Sequence, residues 1–153
     1  MKFKQDDDHQ SKNNVMTASI IYEGELRCTA KHLQSGSEIE TDAPTDNRGK
    51  GERFSPTDMV CVSLATCIIT TMGIRAGDMN IDLKGTRIDV TKHMLSNPRR
   101  IGKISIDLHL PGKMIGADDR LSLERVGNHC PVKNSLHPDL ELDCNYYWDS
   151  LIS

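Results

Sequence analysis

The chain has 153 residues, a length that suits a single domain built around one hydrophobic core. Its net charge of −3 at pH 7 and its aromatic content of 4% argue against a nucleic-acid-binding protein, which normally carries a basic surplus and stacking aromatics. Its five cysteines are scattered, odd in number and without a CxxC pair, which argues against the disulfide framework of a small secreted protein.

The first fourteen residues, MKFKQDDDHQSKNN, are almost entirely polar and contain no apolar stretch. This composition predicts a disordered leader and not a secretory signal. In the rest of the sequence we see no run of about 18 apolar residues, the length that a membrane span requires. We therefore expect a disordered leader at 1–14, a single domain at 15–153 and a cytoplasmic location.

Three β-strands are predicted before the first helix. They are segments rich in strand-forming residues, with a turn or polar residues between them. The predicted strands are residues 15–22, 25–32 and 38–41, with a turn at Glu23-Gly24 and a polar, glycine-containing loop at 42–54.

The clearest predicted helix covers residues 56–76. Ser55 occupies a good N-cap position and Pro56 suits the first helical position, while Asp58, three residues after Ser55, completes a near capping box. Gly77 is expected to end the helix. Apolar residues occur almost all the way round it, which indicates burial on most sides. In a chain of this size, such burial requires a sheet on one face and another helix or a second subunit on the other.

The second half of the chain predicts two strands, a helix, a further short helix and a last strand. The Asn97-Pro98 pair predicts a turn between the two strands. The predicted elements are strands at 81–92 and 101–110, a helix at 118–126, a short helix from Pro131 and a strand at 139–148. The order βββ-α-ββ-α-β predicts an α+β fold.

Cys67 lies in the middle of the long helix. A free cysteine in a core is most often a small inert hydrophobe. However, Ser63, Thr70 and Thr71 share its helix face, and this polar stripe on an apolar helix suggests the wall of a pocket. Cys61 lies about 120° away around the helix and is interpreted as a packing residue.

Cys130 precedes Pro131, which places it at or near the N-cap of the short helix. The helix dipole at that position stabilises a thiolate, so dipole reasoning alone makes Cys130 the more acidic of the two helix thiols. The alternative is that Cys130 is a plain surface cap. Cys67 lies too far along its helix to gain from the dipole and would need a nearby cation, for which Arg27 and Arg53 are the candidates.

Two cysteines on two different helices form the minimal apparatus for reducing a peroxide with thiols. One thiolate becomes a sulfenic acid, and the second thiol converts it to a disulfide. A metal site at His129 and Cys130 is a further alternative, but the histidines and cysteines lack the close pairs that are typical of zinc ligands.

Two segments carry a family resemblance. The stretch FSPTDMVCVSLATC at 54–67, with CPVKNSL at 130–136, resembles the OsmC/Ohr family of osmotically inducible and organic hydroperoxide resistance proteins. The resemblance covers about residues 16–148 and points to a less characterised OsmC-like branch.

The resemblance implies an OsmC-like fold and a reaction. The fold is an intertwined homodimer in which curved antiparallel sheets wrap two long central helices, with the active sites at the subunit interface. It implies that Cys67 is the peroxidatic cysteine, that Cys130 is the resolving cysteine and that Arg27 stabilises the thiolate. The implied substrates are organic hydroperoxides and the implied reductants are dithiols or lipoylated proteins, without a metal or cofactor.

One position departs from the family pattern. The peroxidase branches carry a glutamate after the helix-opening proline, where this chain has Thr57. Asp58 points elsewhere on the helix, and Glu52 could substitute. The departure keeps open an OsmC-fold protein that binds a small ligand or senses oxidants without efficient turnover. Further binding residues are expected to be Arg53, Ser63 and Thr71.

Overall fold

The computed structural model describes residues 15–149, and its contacts group into two compact units that divide after Pro56. The leader predicted at 1–14 lies outside the described residues. The single domain predicted at 15–153 stays a prediction. The strands and helices follow one another in the predicted order, with the short helix α3 (Pro131–Ser135) after α2 (Ala117–Gly127), so the α+β fold is confirmed.

The first unit is a three-stranded antiparallel sheet in the order β1-β2-β3. Its strands are β1 (Ala18–Gly24), β2 (Arg27–His32) and β3 (Glu38–Asp42), followed by a short 3-10 helix, Thr45–Asn47.

The turn of the first hairpin lies two residues later than predicted. Gly24 pairs with Arg27, which leaves Glu25 and Leu26 as the two turn residues. Both have positive φ angles, 50° and 66°, as in a type I′ hairpin turn. Because that turn usually carries Asn or Gly, the sequence pointed to Gly24 instead.

Helix α1 (Pro56–Asp78) begins at the predicted proline but continues through Gly77. One side of it is buried at the spacing of a single helix face. The buried residues on that side are Cys61, Leu64, Ala65, Ile68, Met72 and Ala76. Away from this face apolar side chains remain exposed, and Ile74 keeps 69% of its surface accessible.

By length and composition, α1 is the one helix within residues 15–149 that could cross a membrane, with a mean hydropathy of 1.7. Its mean hydropathy is high although serines and threonines interrupt the apolar run, so the expectation that the chain does not span a membrane stays a prediction. The core helix of a protein that spans no membrane can have the same length and composition.

The second unit contains a mixed three-stranded sheet in the order β4-β5-β6. β4 (Arg87–Ser96) and β5 (Arg99–Leu110) are antiparallel around the predicted turn, whereas β6 (Glu141–Trp148) runs parallel to β5. A parallel pair needs a crossover connection, which α2 (Ala117–Gly127) and α3 (Pro131–Ser135) supply. The sheet thus differs from the purely antiparallel one that the resemblance implied.

The predicted strand at 81–92 begins six residues late, at Arg87. A turn precedes it, in which Gly85 has a φ of 88° and Thr86 donates to the carbonyl of Leu83. The core of the second unit lies on the inner face of β5, as its alternation predicted. The buried β5 residues are Ile104, Ile106, Leu108 and Leu110.

Gly127 allows α2 to pack closely against α1. A methyl group at this position would lie 2.9 Å from Cγ of Met72 and 3.2 Å from Cγ2 of Ile68. Both neighbours are buried and have little room to move. We expect Gly127→Ala to lower the free energy of unfolding by about 1–3 kcal/mol through overpacking, as measured by denaturant titration. Arg125→Ala, an exposed position on the same helix, should change it by less than about 0.5 kcal/mol, and equal stabilities of the two variants would contradict the packing argument.

Candidate functional site

Cys67 lies about three turns into α1 and is half-buried. The backbone around it is held by hydroxyl groups of its own helix. Thr71 Oγ1 donates to the carbonyl of Cys67 at 2.8 Å, and Ser63 Oγ donates to the carbonyl of Val60 at 2.8 Å. Both hydroxyls therefore donate their hydrogen bonds to the backbone of their own helix. The predicted role of Ser63 and Thr71 in binding stays a prediction.

Cys130 is the N-cap of α3, as predicted, and is fully buried. The amide of Lys133 donates to its Sγ at 3.4 Å. Burial nevertheless raises the pKa of the Cys130 thiol, and the Lys133 amide opposes this only in part. The expectation that the helix dipole makes Cys130 acidic is therefore wrong, because a helix of five residues offers little against the loss of water.

The structure brings the two predicted redox cysteines together. The Cys67 thiol lies close enough to the Cys130 thiol to add to the increase in the pKa of Cys130. Both thiols are free. Cys61, which we interpreted as packing, is buried with 3% of its surface exposed, and burial raises its pKa.

Two residues of β6 lie close to this thiol pair. Burial raises the pKa of Tyr146 well above its usual value, and the neighbouring Cys144 and Cys130 thiols add to the increase. The Tyr146 hydroxyl is buried and has no hydrogen-bond partner of good geometry within the described residues, although the Cys144 thiol faces it. Sequence reasoning missed Tyr146, whose only signal was its alternation with Cys144 on the inner face of β6.

Arg27 is held between two carboxylates in the first unit. Its Nε and Nη2 donate to the two carboxylate oxygens of Asp42 at 2.7 and 2.8 Å, and Nη2 also donates to Glu52 at 2.9 Å. Asp42 is buried, with 1% of its side chain exposed, and Arg27 holds the pKa of that carboxyl below its usual range. Asp42 was not predicted, because only the register that pairs Arg27 with Asp42 across β2 and β3 reveals it.

The two candidate substitutes for the family glutamate have different partners. Glu52 contacts Arg27, whereas Asp58 accepts a hydrogen bond from Lys92 Nζ at 2.6 Å. The same ammonium group contacts Thr57 Oγ1 at 2.8 Å. Arg27 therefore has two acidic partners, Glu52 and Asp42, although Thr57 itself has no carboxylate to offer.

Arg53 and His129 have other local partners. Arg53 pairs with Glu40 at 2.8 Å on the surface, so its predicted binding role stays a prediction. His129 Nδ1 lies 2.7 Å from the carbonyl of Arg125. Within residues 15–149, no group of three or more His, Cys, Asp or Glu side chains is arranged to hold a metal ion.

The pKa of Cys130 gives a testable pH dependence. In a Cys67→Ser variant, iodoacetamide should alkylate Cys130 slowly at neutral pH, because the thiol is buried and protonated. The rate should keep rising beyond the ordinary thiol pKa of about 8.5. Peptide mass mapping over a pH series checks this, with urea-unfolded protein as the control. Fast alkylation of the folded protein at pH 7 would contradict the assignment.

The half-buried Cys67 thiol thus lies close to the buried Cys130 thiol, between two helices of an α+β protein. A sequence model of the OsmC family, described as OsmC-like protein, matches residues 49–145. A structure of a Psychrobacter arcticus 273-4 protein, with a proposed role in osmotic stress and detoxification, is 41% identical with a TM-score of 0.84, covering 88% of this chain and 98% of its own. The chain therefore belongs to the OsmC-like family.

More distant structures share the fold. An organic hydroperoxide resistance protein OsmC from Legionella pneumophila is 13% identical with a TM-score of 0.68, covering 88% of this chain and 99% of its own. An organic hydroperoxide resistance protein from Elizabethkingia anophelis is 14% identical with a TM-score of 0.67, covering 88% and 98%. No curated protein matches the chain.

Proposed function

We propose that this protein is a thiol-dependent peroxidase that reduces organic hydroperoxides in oxidative-stress defence. The observation that carries the proposal is the proximity of the half-buried Cys67 thiol to the buried Cys130 thiol. Membership of the OsmC-like family supports it, as do the names of the structural relatives that are called organic hydroperoxide resistance proteins.

In the first step, the Cys67 thiolate attacks the distal oxygen of the hydroperoxide. The O–O bond breaks, Cys67 becomes a sulfenic acid, and the alkoxide takes up a proton and leaves as the alcohol. Cys67 is the better nucleophile of the pair because it is partly exposed, whereas Cys130 is buried and has a raised pKa.

In the second step, the Cys130 sulfur attacks the sulfenic sulfur of Cys67. A disulfide forms, and the sulfenic oxygen leaves as water with the Cys130 proton. The raised pKa of Cys130 keeps it protonated and unreactive until Cys67 is oxidised. A dithiol or lipoylated protein then reduces the disulfide by two successive exchanges, and its own two thiols become a disulfide.

Arg27 is the proposed stabiliser of the Cys67 thiolate, a role taken from the family resemblance. Its bidentate contact with Asp42 and its contact with Glu52 hold the guanidinium in one orientation. The two carboxylates thus supply the support that the absent family glutamate would give.

A homodimer with active sites at the subunit interface is the proposed assembly. The support is exposed apolar surface in both units, which a monomer would leave in water. These residues include Ile20 (61% exposed), Ile21 (62%), Tyr22 (62%) and Ile74 (69%). A cytoplasmic location is proposed because a reducing compartment keeps free cysteines reduced.

The competing function is a ligand-binding or oxidant-sensing protein without efficient turnover. The argument for it was that Thr57 replaces the family glutamate. The contacts of Arg27 with Asp42 and Glu52 weaken that argument, because these two carboxylates take the place of the missing glutamate.

A turnover assay separates the two. Cumene hydroperoxide with dihydrolipoamide should be consumed catalytically, and faster than hydrogen peroxide. A single stoichiometric oxidation without turnover would favour the sensor.

A further inference from the structure

A pocket of about 590 Å³ lies in the second unit, among the start of α1, the start of β5 and the segment after α3. Its volume is in the range of small-molecule sites. Its apolar lining includes Val60, Leu136 and Leu140, and its polar lining includes Arg100, His137 and Asp139. Neither Cys67 nor Cys130 belongs to this lining.

Arg100 is the unusual member of the lining. It is half-buried, and within the described residues its guanidinium forms no ion pair and no side-chain hydrogen bond. Lys92, another cation close to the start of α1, is already bound by Asp58 at 2.6 Å. An arginine that is partly withdrawn from water without an acidic partner is suited to receive an anion from outside the protein.

The charges around the pocket favour a carboxylate over a phosphate. Asp139 contributes a negative charge to the same lining, and it lies 3.7 Å from His137. That carboxylate repels a dianion about twice as strongly as a monoanion. A monoanionic carboxylate can still engage the guanidinium fork through two parallel hydrogen bonds. The apolar side chains of Val60, Leu136 and Leu140 then offer a surface for a hydrocarbon chain.

The pocket and the thiol lie along one face of α1. Val60 precedes Cys67 by seven residues, so the two residues point in nearly the same direction about 10 Å apart along the axis. A ligand whose carboxylate is held at Arg100 could therefore extend an apolar chain along this face.

We propose that this pocket binds amphipathic carboxylic acids through Arg100 and, resting on the proposed function, that Arg100 selects acid-bearing hydroperoxides over neutral ones. Arg100 is then a specificity residue that lies outside the reacting pair.

The test uses decanoate, which is not oxidised, in calorimetric titration of the reduced protein. Arg100→Gln should weaken decanoate binding by at least about tenfold, the effect of removing a charge-assisted contact, while Arg100→Lys should retain part of the affinity. Arg125→Gln, an exposed arginine outside the pocket, is the matched control and should bind as the parent does. Decanol should bind more weakly than decanoate, and Arg100→Gln should not change the affinity for decanol.

No decanoate binding by the parent, or equal binding by the parent and Arg100→Gln, would overturn the proposal. Because the titration requires no turnover, its result is independent of the peroxidase proposal. If turnover occurs, Arg100→Gln should raise KM for an acid-bearing hydroperoxide at least about tenfold while leaving kcat and the cumene hydroperoxide kinetics unchanged. Equal effects on both substrates would remove the selective role.

Discussion

Cys67→Ser is expected to abolish hydroperoxide consumption, with a loss of at least about 1,000-fold in kcat/KM. Serine keeps the size and polarity of the side chain, but its hydroxyl is not ionised at neutral pH and cannot attack the O–O bond. The half-buried position of Cys67 should allow the variant to fold. The measurement is the steady-state rate with cumene hydroperoxide and a dithiol.

Two further variants show whether this loss is specific. Cys130→Ser should still reduce one equivalent of hydroperoxide and then stop at a sulfenic acid, which dimedone traps. Cys28→Ser, on β2, should turn over like the parent. Retained activity in Cys67→Ser, or equal loss in Cys28→Ser, would contradict the assignment of Cys67 as the peroxidatic residue.

Arg27→Gln is expected to lower kcat/KM by about 10- to 100-fold, because a neutral amide cannot stabilise the thiolate. It should also shift the pH profile of the first oxidation upward, which a purely structural role would not do. Asp42→Asn should produce a smaller change in the same direction, since Arg27 would lose one of its two carboxylate partners.

The control for charge in this region is Lys31→Gln. Lys31 is an exposed cation on the same strand, 3.8 Å from Glu38, and a surface ion pair of this kind contributes little. Arg27→Lys should restore part of the activity because the charge is kept. An unchanged pH profile in Arg27→Gln would contradict the proposal that Arg27 stabilises the Cys67 thiolate.

The sequence predicted correctly those features that depend only on residues close together in the chain. The Pro56 start of α1 and the alternation of β5 follow from helix capping and from burial of one strand face. The turn at Glu25 and Leu26 was not predicted, because its positive φ angles follow from the pairing of β1 with β2. The parallel direction of β6 likewise depends on the crossover and not on the composition of the strand.

In the candidate site, too, features that depend on local sequence were predicted and features that depend on tertiary contacts were not. Cys67 and Cys130 were found from residue type, helix position and the family resemblance. Asp42 was missed because its contact with Arg27 arises from strand register, 15 residues apart in sequence. The raised pKa of Cys130 was missed because sequence reveals its cap position but not the burial that outweighs the cap.

The central claim is that Cys67 and Cys130 form one redox pair, and intact-mass analysis tests it most directly. Reduced protein receives one equivalent of cumene hydroperoxide, beside Cys67→Ser as the control. The account predicts the loss of two hydrogens, mapped by peptide analysis to a Cys67–Cys130 disulfide and absent from the variant. An unchanged mass with unconsumed hydroperoxide, or a disulfide between other cysteines, would contradict it.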